Sequence, residues 1–454
     1  MSRLTMILLS VFILILPLTA WSTVFYIDQG GGGDYTTISE GIAAASGGDT
    51  VLIAAGTYSD TLNTDLDFAG KSILVISESG PEVTIINCEY PGGPYRRAFF
   101  FHSGEDTTSI VDGLTITSGV AVYGGGINCT GAFPLIRNCV FTHCGVAYGG
   151  GMYFSNSTAI VRDCRFENND VFVLGGALFC DNASPTITDC VIDSCTSGFI
   201  AGGVFLDNGG STTLRDVSIT NCYSAGDGGG MYCRDAPPYL ERVEFIGNMA
   251  DTLSNGGGMY TNCDATLIDC LFQDNFADNA GGGLWCTAAS VDIADCTFSM
   301  NRTEGMGGGI CTDDAMLQVT GGQFDNNEAF MGAGAYCFGA MPEMSGVLFA
   351  ENEAYLIGGA IVCEESMATI DECIFTGNIG IEGAAIATYG SLSPSITNST
   401  LSGNISVPGD AAIYAESDPS IMNTIIAFTE SGGAVRCADG GLPSITHSCS
   451  FGNA

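Results

Sequence analysis

An acidic row and an aromatic row are the two sets of side chains in this 454-residue sequence that could do chemistry. The acidic row stands immediately before a recurring apolar triplet and consists of Asp163, Asp189, Asp216, Asp269 and Asp295. Carboxylates one repeat apart repel each other by roughly 1 kcal/mol when hydrated, and Ca²⁺ relieves such repulsion because it favours several oxygen ligands. The row therefore predicts a calcium site. The alternative is that each carboxylate caps its own turn through a local hydrogen bond.

The aromatic row follows a recurring run of glycines and occupies the middle position of another triplet. Its members are Tyr153, Phe179, Tyr232, Tyr260, Trp285, Tyr336 and Tyr414. Strand residues alternate between two faces, so the middle residue of the triplet points away from the interior. Exposed rings at these positions would stack on sugar rings, which predicts glycan binding. The alternative is that the rings pack on each other across strands or lie beneath a loop.

The composition excludes a nucleic-acid-binding protein. Asp and Glu number 50 against 12 Lys and Arg, which gives a formal net charge of -38, whereas a nucleic-acid surface needs clustered cations. Apolar residues make up 46% of the sequence, far more than an intrinsically disordered chain contains. A folded acidic protein is therefore expected, and its field would repel a polyuronate at long range.

The 20 cysteines recur at two fixed positions of a repeat. Free Cys is among the most buried residue types, so this spacing predicts columns of stacked thiols inside the fold. The alternative is a few disulfides between successive repeats, since cysteines in an exported chain are often oxidised. Zinc is disfavoured because the sequence has no CxxC pair and its three histidines lie far apart.

A glycine-rich signature recurs from Gly124 in steps of mostly 25 or 26 residues, as in GGGMY at Gly149 and GGGLW at Gly281. Thirteen such units indicate a solenoid. Within a unit apolar and polar residues alternate with the period of a strand, and no stretch has sustained helical periodicity. The glycines are expected at a corner that needs a positive φ or a close backbone approach. The sequence therefore predicts an all-β, single-stranded right-handed parallel β-helix with one coil per unit.

An asparagine stands three residues after an inward aromatic residue in many units. These residues are Asn169, Asn248, Asn275, Asn301, Asn327, Asn352, Asn378 and Asn404. Asn tolerates a left-handed turn conformation, and its amide can hydrogen-bond the Asn one coil away. Cys144, Cys195 and Cys222 take the same position in three units. The pattern predicts a buried asparagine ladder at one bend.

Three segments divide the chain. Residues 1–22 have an early Arg3 and an apolar run that is too short to span a bilayer, which predicts a cleaved signal peptide and no transmembrane segment in the mature chain. Residues 23–123 are expected to form the opening coils and an N-terminal cap, with a capping box from Thr37 to Glu40 that starts a short helix. Residues 124–454 are expected to form the thirteen coils, truncated at the C-terminus because the sequence stops within a coil.

Two motifs carry a family resemblance over about Gly124 to Asn404. The first is GGA or GGG before an aliphatic residue, and the second is Phe-x-x-Asn, in the forms FENN, FIGN, FQDN, FSMN, FDNN, FAEN and FTGN. Together they resemble the repeats of the chlamydial polymorphic outer membrane proteins. The segment from Asp34 to Asn87 resembles the opening coils of pectin-lyase-like proteins. These resemblances imply a secreted protein, or one on the outer surface of a bacterial cell, that acts as a non-catalytic adhesion or glycan-binding passenger. Its partner would be an extracellular glycan or a host or cell-surface molecule.

Two other functions stay open. The sequence lacks the paired-Asp signature of polygalacturonases, the WxDH of pectate lyases and the arrangement of pectin methylesterases. In pectate lyases, however, Asp-bound calcium neutralises a uronate and an Arg abstracts the proton. Arg162, Arg165 and Arg215 stand close to Asp163 and Asp216 and would take the Arg role in a polysaccharide lyase or glycosidase. The other alternative is a purely structural rod.

Overall fold

The computed structural model describes residues 22–89, 96–407, 409–427, 433–438 and 442–452. In these residues the strands form three sheets, and each strand pairs in parallel with strands of the neighbouring coils. The predicted right-handed parallel β-helix is confirmed. The predicted signal peptide, residues 1–22, lies outside the described residues except for Ser22.

Sheet 1 has two files of strands. The first file comprises Val24–Ile27, Thr50–Ile53, Leu74–Ser77, Ile110–Asp112, Leu135–Arg137, Ile160–Arg162, Thr186–Thr188, Thr213–Thr220, Tyr239–Ile246, Ala265–Ile268, Ser290–Ala294, Met316–Thr320, Glu343–Ser345, Thr369–Asp371, Ser395–Thr397, Ser420–Met422 and Ser444–Thr446. The second file shares the two long strands Thr213–Thr220 and Tyr239–Ile246. Its other members are Gly56–Tyr58, Thr84–Asn87, Thr115–Thr117, Val140–Thr142, Arg165–Glu167, Val191–Asp193, Leu271–Gln273, Thr297–Ser299, Gln323–Asp325, Leu348–Ala350, Ile374–Thr376, Thr400–Ser402, Ile425–Ala427 and Cys449–Phe451.

Sheets 2 and 3 complete each coil, which passes through the first file, the second file, sheet 3 and sheet 2 in that order. Sheet 2 comprises Phe99–Phe101, Ile127–Thr130, Met152–Ser155, Leu178–Asp181, Val204–Asp207, Met231–Arg234, Met259–Thr261, Leu284–Thr287, Ile310–Asp313, Ala335–Phe338, Ile361–Glu364, Ile386–Tyr389, Ala411–Ala415 and Gly433–Cys437. Sheet 3 comprises Val120–Tyr123, Gly145–Tyr148, Asp170–Leu174, Thr196–Ser197, Tyr223–Ser224, Met249–Ala250, Phe276–Ala277, Arg302–Thr303, Glu328–Met331, Glu353–Ile357, Ile379–Gly380 and Ile405–Ser406.

A short helix, Ile38–Ala44, packs against the first coils. The side chain of its N-cap, Thr37, accepts a hydrogen bond from the backbone nitrogen of Glu40, and the Thr37 hydroxyl donates to the Glu40 carboxylate over 2.9 Å. Ile38 and Ile42 are buried in the apolar core. The predicted helix start is confirmed. No helix within the described ranges has the length and hydropathy of a membrane span.

The glycine run turns the chain from sheet 3 into sheet 2. The first glycine has a positive φ, for example +66° at Gly281. The next two lie against the following coil: a Cβ on Gly282 would be 2.6 Å from the carbonyl oxygen of Gly308, and a Cβ on Gly283 would be 3.1 Å from the Phe298 ring. The first position therefore needs glycine for its conformation, and the other two need it because a side chain has no room.

The predicted asparagine ladder is confirmed at the bend between the second file and sheet 3. The amide nitrogen of Asn275 donates to the Oδ1 atom of Asn301 over 2.9 Å, and that of Asn301 donates to Asn327 over 3.0 Å. Each Oδ1 also accepts the backbone N–H of the preceding Asn, and each Nδ2 also donates to a backbone carbonyl such as that of Phe272. These amides are buried and satisfied, so they lock the bends of successive coils together.

Aromatic rings stack in the core beside this ladder. The ring centroids of Phe272 and Phe298 lie 4.6 Å apart, those of Phe298 and Phe324 lie 4.8 Å apart, and the planes of both pairs differ by 6°. Strands of a sheet are about 4.8 Å apart, so one ring per coil fills the core without a gap. The coil spacing thus selects the same bulky residue at the same position in coil after coil.

The cysteines are free thiols, and most of them are buried. Cys337 and Cys363 are register partners on neighbouring strands of sheet 2. Burial raises the pKa of Cys337 to about 12, and it raises the pKa of Cys144 to the same value. The predicted columns of stacked thiols are confirmed. Because the thiolate is the reactive form, these buried thiols are expected to be inert.

Removing one amide from the ladder is expected to destabilise the fold strongly. Asn301→Ala removes the acceptor of the Asn275 backbone N–H and the side-chain hydrogen bonds to Asn327 and the Phe272 carbonyl, all of them buried, and we expect it to lower the free energy of unfolding by about 3 kcal/mol. The urea midpoint measures this loss. Asn326→Gly is the matched control, because Asn326 is exposed at a positive φ of 54° next to the ladder and glycine accepts that φ. Equal midpoints for the two variants would contradict the role of the ladder.

The exposure of the thiols predicts their order of reaction with a thiol reagent. Cys449 is exposed, and Cys263 and Cys437 are partly buried. We expect Cys449 to react quickly with Ellman's reagent in the native state, Cys263 and Cys437 to react slowly, and the remaining thiols to react only after unfolding, when all 20 are titrated. A total well below 20 in denaturant would instead indicate disulfides.

Candidate functional site

The acidic row lies in a column of left-handed turns between the two files of sheet 1. Asp163, Asp189, Asp216, Asp269 and Asp295 all have φ between 52° and 53°. Asn138, Asn398 and Gly346 occupy the same column in other coils with φ of 52°, 51° and 68°. Asn, Asp and Gly are the residues that adopt this conformation most readily. The turn itself therefore accounts for the residue type at this position.

Arg242 interrupts the acidic column with a φ of 51°. Its guanidinium donates two hydrogen bonds to Asp216, over 2.7 Å and 2.9 Å, and another to Glu241. Arg215 also donates to Glu241, over 2.8 Å. The hydrogen bonds from Arg242 lower the pKa of Asp216, and those from Arg215 and then Arg242 lower the pKa of Glu241. An internal cation thus relieves the repulsion between acids at the middle of the column.

The calcium site at this column stays a prediction. Within the described part of the chain, no group of three Asp, Glu, His or Cys side chains is arranged to hold a metal ion. Asp189 and Asp269 lie on either side of the pair formed by Asp216 and Arg242, and all four line a groove of about 650 Å³ on the outside of sheet 1. Calcium would therefore have to compete with a guanidinium at the centre of the row.

The three arginines proposed for a lyase lie on the outside of sheet 1. Arg165 pairs with Glu167, and Arg215 pairs with Glu241. Arg162 is the register partner of Arg137 in the preceding coil, and its Nε is buried without a hydrogen bond in the described structure. A guanidinium held by a carboxylate is a poor proton acceptor, because the ion pair stabilises its charged form. The role of these residues in catalysis stays a prediction.

The aromatic row runs along the outer side of sheet 2 but is largely covered. Neighbouring rings are in contact, as between Tyr232 and Tyr260, whose centroids lie 4.4 Å apart. Leu174 and Ile200 pack against the row from the adjoining corner. Tyr260 and Trp285 are partly buried, and the others are 4% to 8% exposed, namely Tyr153, Phe179, Tyr232, Tyr336 and Tyr414. This burial favours the packing alternative, and ligand stacking by the row stays a prediction.

Two exposed rings on sheet 3 lie beside charged groups. Phe330 is 45% exposed and Tyr355 is 60% exposed. Glu328 and Glu353 lie two residues before these rings on the same outward faces, since strand side chains alternate and the residues between are buried alanines. Glu328 and Glu353 are register partners on neighbouring coils. Two carboxylates on neighbouring coils therefore lie beside two exposed aromatic rings, and the strand pairing becomes irregular directly after the buried alanines.

A groove of about 500 Å³ adjoins these carboxylates and rings. Arg302, Glu328, Glu353, Phe276 and Asn326 are among its lining residues. Arg302 is the register partner of Glu328, and its guanidinium carbon lies 4.9 Å from the centre of the Phe276 ring. The groove thus offers the Arg302 guanidinium as a hydrogen-bond donor and the carboxylates of Glu328 and Glu353 as acceptors, next to two exposed rings. We call these residues, Arg302, Glu328, Phe330, Glu353 and Tyr355, the sheet 3 surface.

The sequence contains a signal for this surface, but that signal lies outside the aromatic row that follows the glycines. The tetrapeptides NEAF and NEAY begin at the ladder residues Asn327 and Asn352, 25 residues apart. NDVF begins in the same way at Asn169 and places Phe172, which is 81% exposed, on a distant coil. A ladder Asn followed by an acid, a small apolar residue and an aromatic ring therefore marks the outward positions of sheet 3.

Acidification is expected to weaken the Arg242 ion pairs. Because the folded-state pKa values of Asp216 and Glu241 are lowered, the stability they contribute is present above the usual carboxyl pKa and is lost as pH falls below about 4. Arg242→Asn keeps a residue suited to the left-handed turn but removes the pairs. We expect its urea midpoint to fall less between pH 5 and pH 3 than that of the wild type. Arg302→Gln, which removes a similar charge, should keep the wild-type slope. Parallel slopes for Arg242→Asn and the wild type would contradict this account.

The family model that matches part of this chain agrees with this architecture. The family model described as "Right handed beta helix region" matches residues 71–234. A pectin methylesterase from carrot is similar at 13% identity and a TM-score of 0.27, over 73% of this chain and 82% of that one. The catalytic unit of a GH87 alpha-1,3-glucanase from Streptomyces thermodiastaticus is similar at 10% identity and a TM-score of 0.32, over 91% and 65%.

The receptor-binding domain of the siphovirus 9NA tailspike is similar at 12% identity and a TM-score of 0.29, over 95% of this chain and 76% of that one. A search of curated protein sequences gave no match. The resemblance to chlamydial repeats stays a prediction. The matched family description and the parallel coils of the structure are those of a right-handed β-helix.

Proposed function

We propose that this chain is a secreted or cell-surface β-helix protein that binds a neutral polysaccharide on the sheet 3 surface without cleaving it. The observation that carries the proposal is the exposure of Phe330 and Tyr355 one coil apart, each beside an outward carboxylate. Large apolar rings that stay exposed on a folded protein mark a binding surface when polar groups surround them. The export expected from residues 1–22 would bring this surface into contact with extracellular glycans.

The chemistry of the surface suits a sugar ring. The apolar C–H face of a pyranose packs on an aromatic ring, and its hydroxyls point sideways to polar partners. Glu328 and Glu353 can accept hydrogen bonds from those hydroxyls, and charged acceptors form the stronger kind. The Arg302 guanidinium supplies donors in a fixed plane. Phe330 and Tyr355 lie on neighbouring coils whose strands are about 4.8 Å apart, so a chain running along the helix axis would pass both rings.

The charge of the protein selects the class of polysaccharide. A body with a net charge of -38 repels a polyanion at long range. Four carboxylates line the groove, namely Asp274, Glu328, Glu351 and Glu353, against the single guanidinium of Arg302. A sulfated or uronate-rich polymer would therefore lose affinity, and we expect a glycan without acidic groups.

A glycosidase is the second candidate, and the pairing of Glu328 with Glu353 favours it. Their backbones lie one coil apart, about 4.8 Å, and retaining glycosidases place their two carboxyl groups about 5 to 5.5 Å apart. One carboxyl group would then act as the nucleophile and the other as the acid. The groove beside them is shallow and open, which suits a binding surface better than a site that must exclude water.

Replacing both rings is expected to weaken glycan retention. The double variant Phe330→Ala with Tyr355→Ala should bind a neutral polysaccharide about 5- to 150-fold more weakly than the wild type on a glycan array, because each lost ring removes about 0.5 to 1.5 kcal/mol of stacking. Phe172→Ala is the matched control, since it removes an exposed ring that follows a ladder Asn on a distant coil. Equal retention by the double variant and the wild type would refute the proposed surface.

The same polysaccharide separates binding from hydrolysis. For a binding protein we expect no new reducing ends during incubation with the wild type. Release of reducing ends by the wild type, and loss of that release in Glu353→Gln, would identify the glycosidase instead. Release that survives in Glu353→Gln and in Glu328→Gln would place the chemistry outside the sheet 3 surface.

A further inference from the structure

Three exposed methionines form a column on the outside of sheet 1. Met316, Met341 and Met367 are 55%, 58% and 52% exposed. They occupy equivalent positions in successive coils, because Gln318, Glu343 and Thr369, which stand two residues after them, are register partners. Their Cα atoms are therefore spaced at about 4.8 Å from one coil to the next.

The column is not part of a general apolar face. Ser290 is the register partner of Met316 in the preceding coil, and Ser393 takes the equivalent position in the coil after Met367. The sequence contains 14 methionines among 454 residues, so chance placement of three at one register in successive coils is improbable. The residues that follow Met316 and Met367, Leu317 and Ala368, are buried, as strand alternation requires.

Thioether sulfur gives this column a chemistry that other apolar side chains lack. Methionine is unbranched and has three rotatable bonds, so sulfurs that start one coil apart can converge on one point. Thioethers are soft, neutral ligands that favour Cu(I) over Ca²⁺ or Mg²⁺. Met316 and Met341 line a groove of about 300 Å³ together with Asp292 and Glu343. These two carboxylates supply negative charge near the sulfurs and favour a cation there.

We propose that Met316, Met341 and Met367 bind one soft monovalent cation, Cu(I), through their three thioether sulfurs. Met341 is the central ligand, because it lies one coil from each of the others. The ion needs no change of oxidation state to bind. The site is separate from the sheet 3 surface, since the column lies on the first file of sheet 1.

Thiols are the natural competitors for such an ion. Cys449 is exposed and Cys263 and Cys437 are partly buried, while the other cysteines among the described residues are buried. Replacing these three by Ser removes the accessible thiols and leaves the fully buried residues of the core unchanged, while Cys263 is a partly buried residue that packs against that core. The full-length protein with these three substitutions is therefore the background for the test.

Methyl resonances of methionine report binding directly. The background protein is labelled with [methyl-¹³C]methionine and titrated with Ag(I), a redox-silent probe for Cu(I), in chloride-free buffer. We expect one equivalent to shift three methyl signals, assigned to Met316, Met341 and Met367 by single Leu variants. Met341→Leu should weaken binding at least tenfold, whereas Met300→Leu, which removes a methionine that is 44% exposed outside the column, should leave it unchanged.

Two results would overturn the site. In the first, the three signals stay in place at one equivalent of Ag(I) or move no more than the Met300 signal. In the second, Ca²⁺ or Zn²⁺ shifts the three signals as strongly as Ag(I), which would exclude selectivity for soft ions. An anaerobic titration with Cu(I) against a competing chelator then gives the affinity, and a Met341→Leu affinity equal to that of the background would also refute the proposal.

Discussion

The parallel pairing of strands sets the distance between coils, and hydrogen bonds between buried asparagine amides lock successive coils together from Asn248 to Asn404. From Asn275 to Asn378, each amide oxygen accepts two hydrogen bonds from the coil before it, and each amide nitrogen donates two. If one coil slipped by one residue relative to the next, several buried amide and backbone groups would lose their hydrogen-bond partners, at a cost of about 1 to 3 kcal/mol each. The ladder therefore stabilises one register over the coils from Asn248 to Asn404, in which the stacked phenylalanines, turns and surface columns line up.

Much of the fold could be predicted because its determinants recur in the sequence. The glycine run is needed at each corner for a positive φ or for lack of space, and Asn301 and its equivalents are needed at one bend because their amides pair with one another and with the backbone. These requirements act locally and repeat from coil to coil, so they appear in the sequence as a regular spacing of glycine and asparagine residues. The number of residues per coil and the inward positions could be read in the same way.

The surface could be predicted only in part. Strand alternation correctly indicates that Tyr232 points away from the core, but the corner residues Leu174 and Ile200, which pack on this aromatic cluster, come from other parts of the coils. The alternation of side chains along a strand does not show that residues from elsewhere in the coil cover an outward ring. The residue type of Asp163 suits both a metal site and a left-handed turn, and its φ shows that it lies in such a turn. Phe330 and Tyr355 could have been found from the sequence, because each stands three residues after a ladder Asn. Their exposure could not, because it depends on whether side chains from the neighbouring corner cover them.

The tetrapeptides NEAF and NEAY occur at the same phase of adjacent coils, so the sheet 3 surface is modular. Since a coil contacts only its neighbours, the gain or loss of one whole coil of 25 or 26 residues leaves the remaining coils intact. Such an event in a gene would lengthen or shorten the row of outward rings by one without altering the pairing elsewhere. The reach of this surface along an extended partner can therefore evolve in steps of one coil.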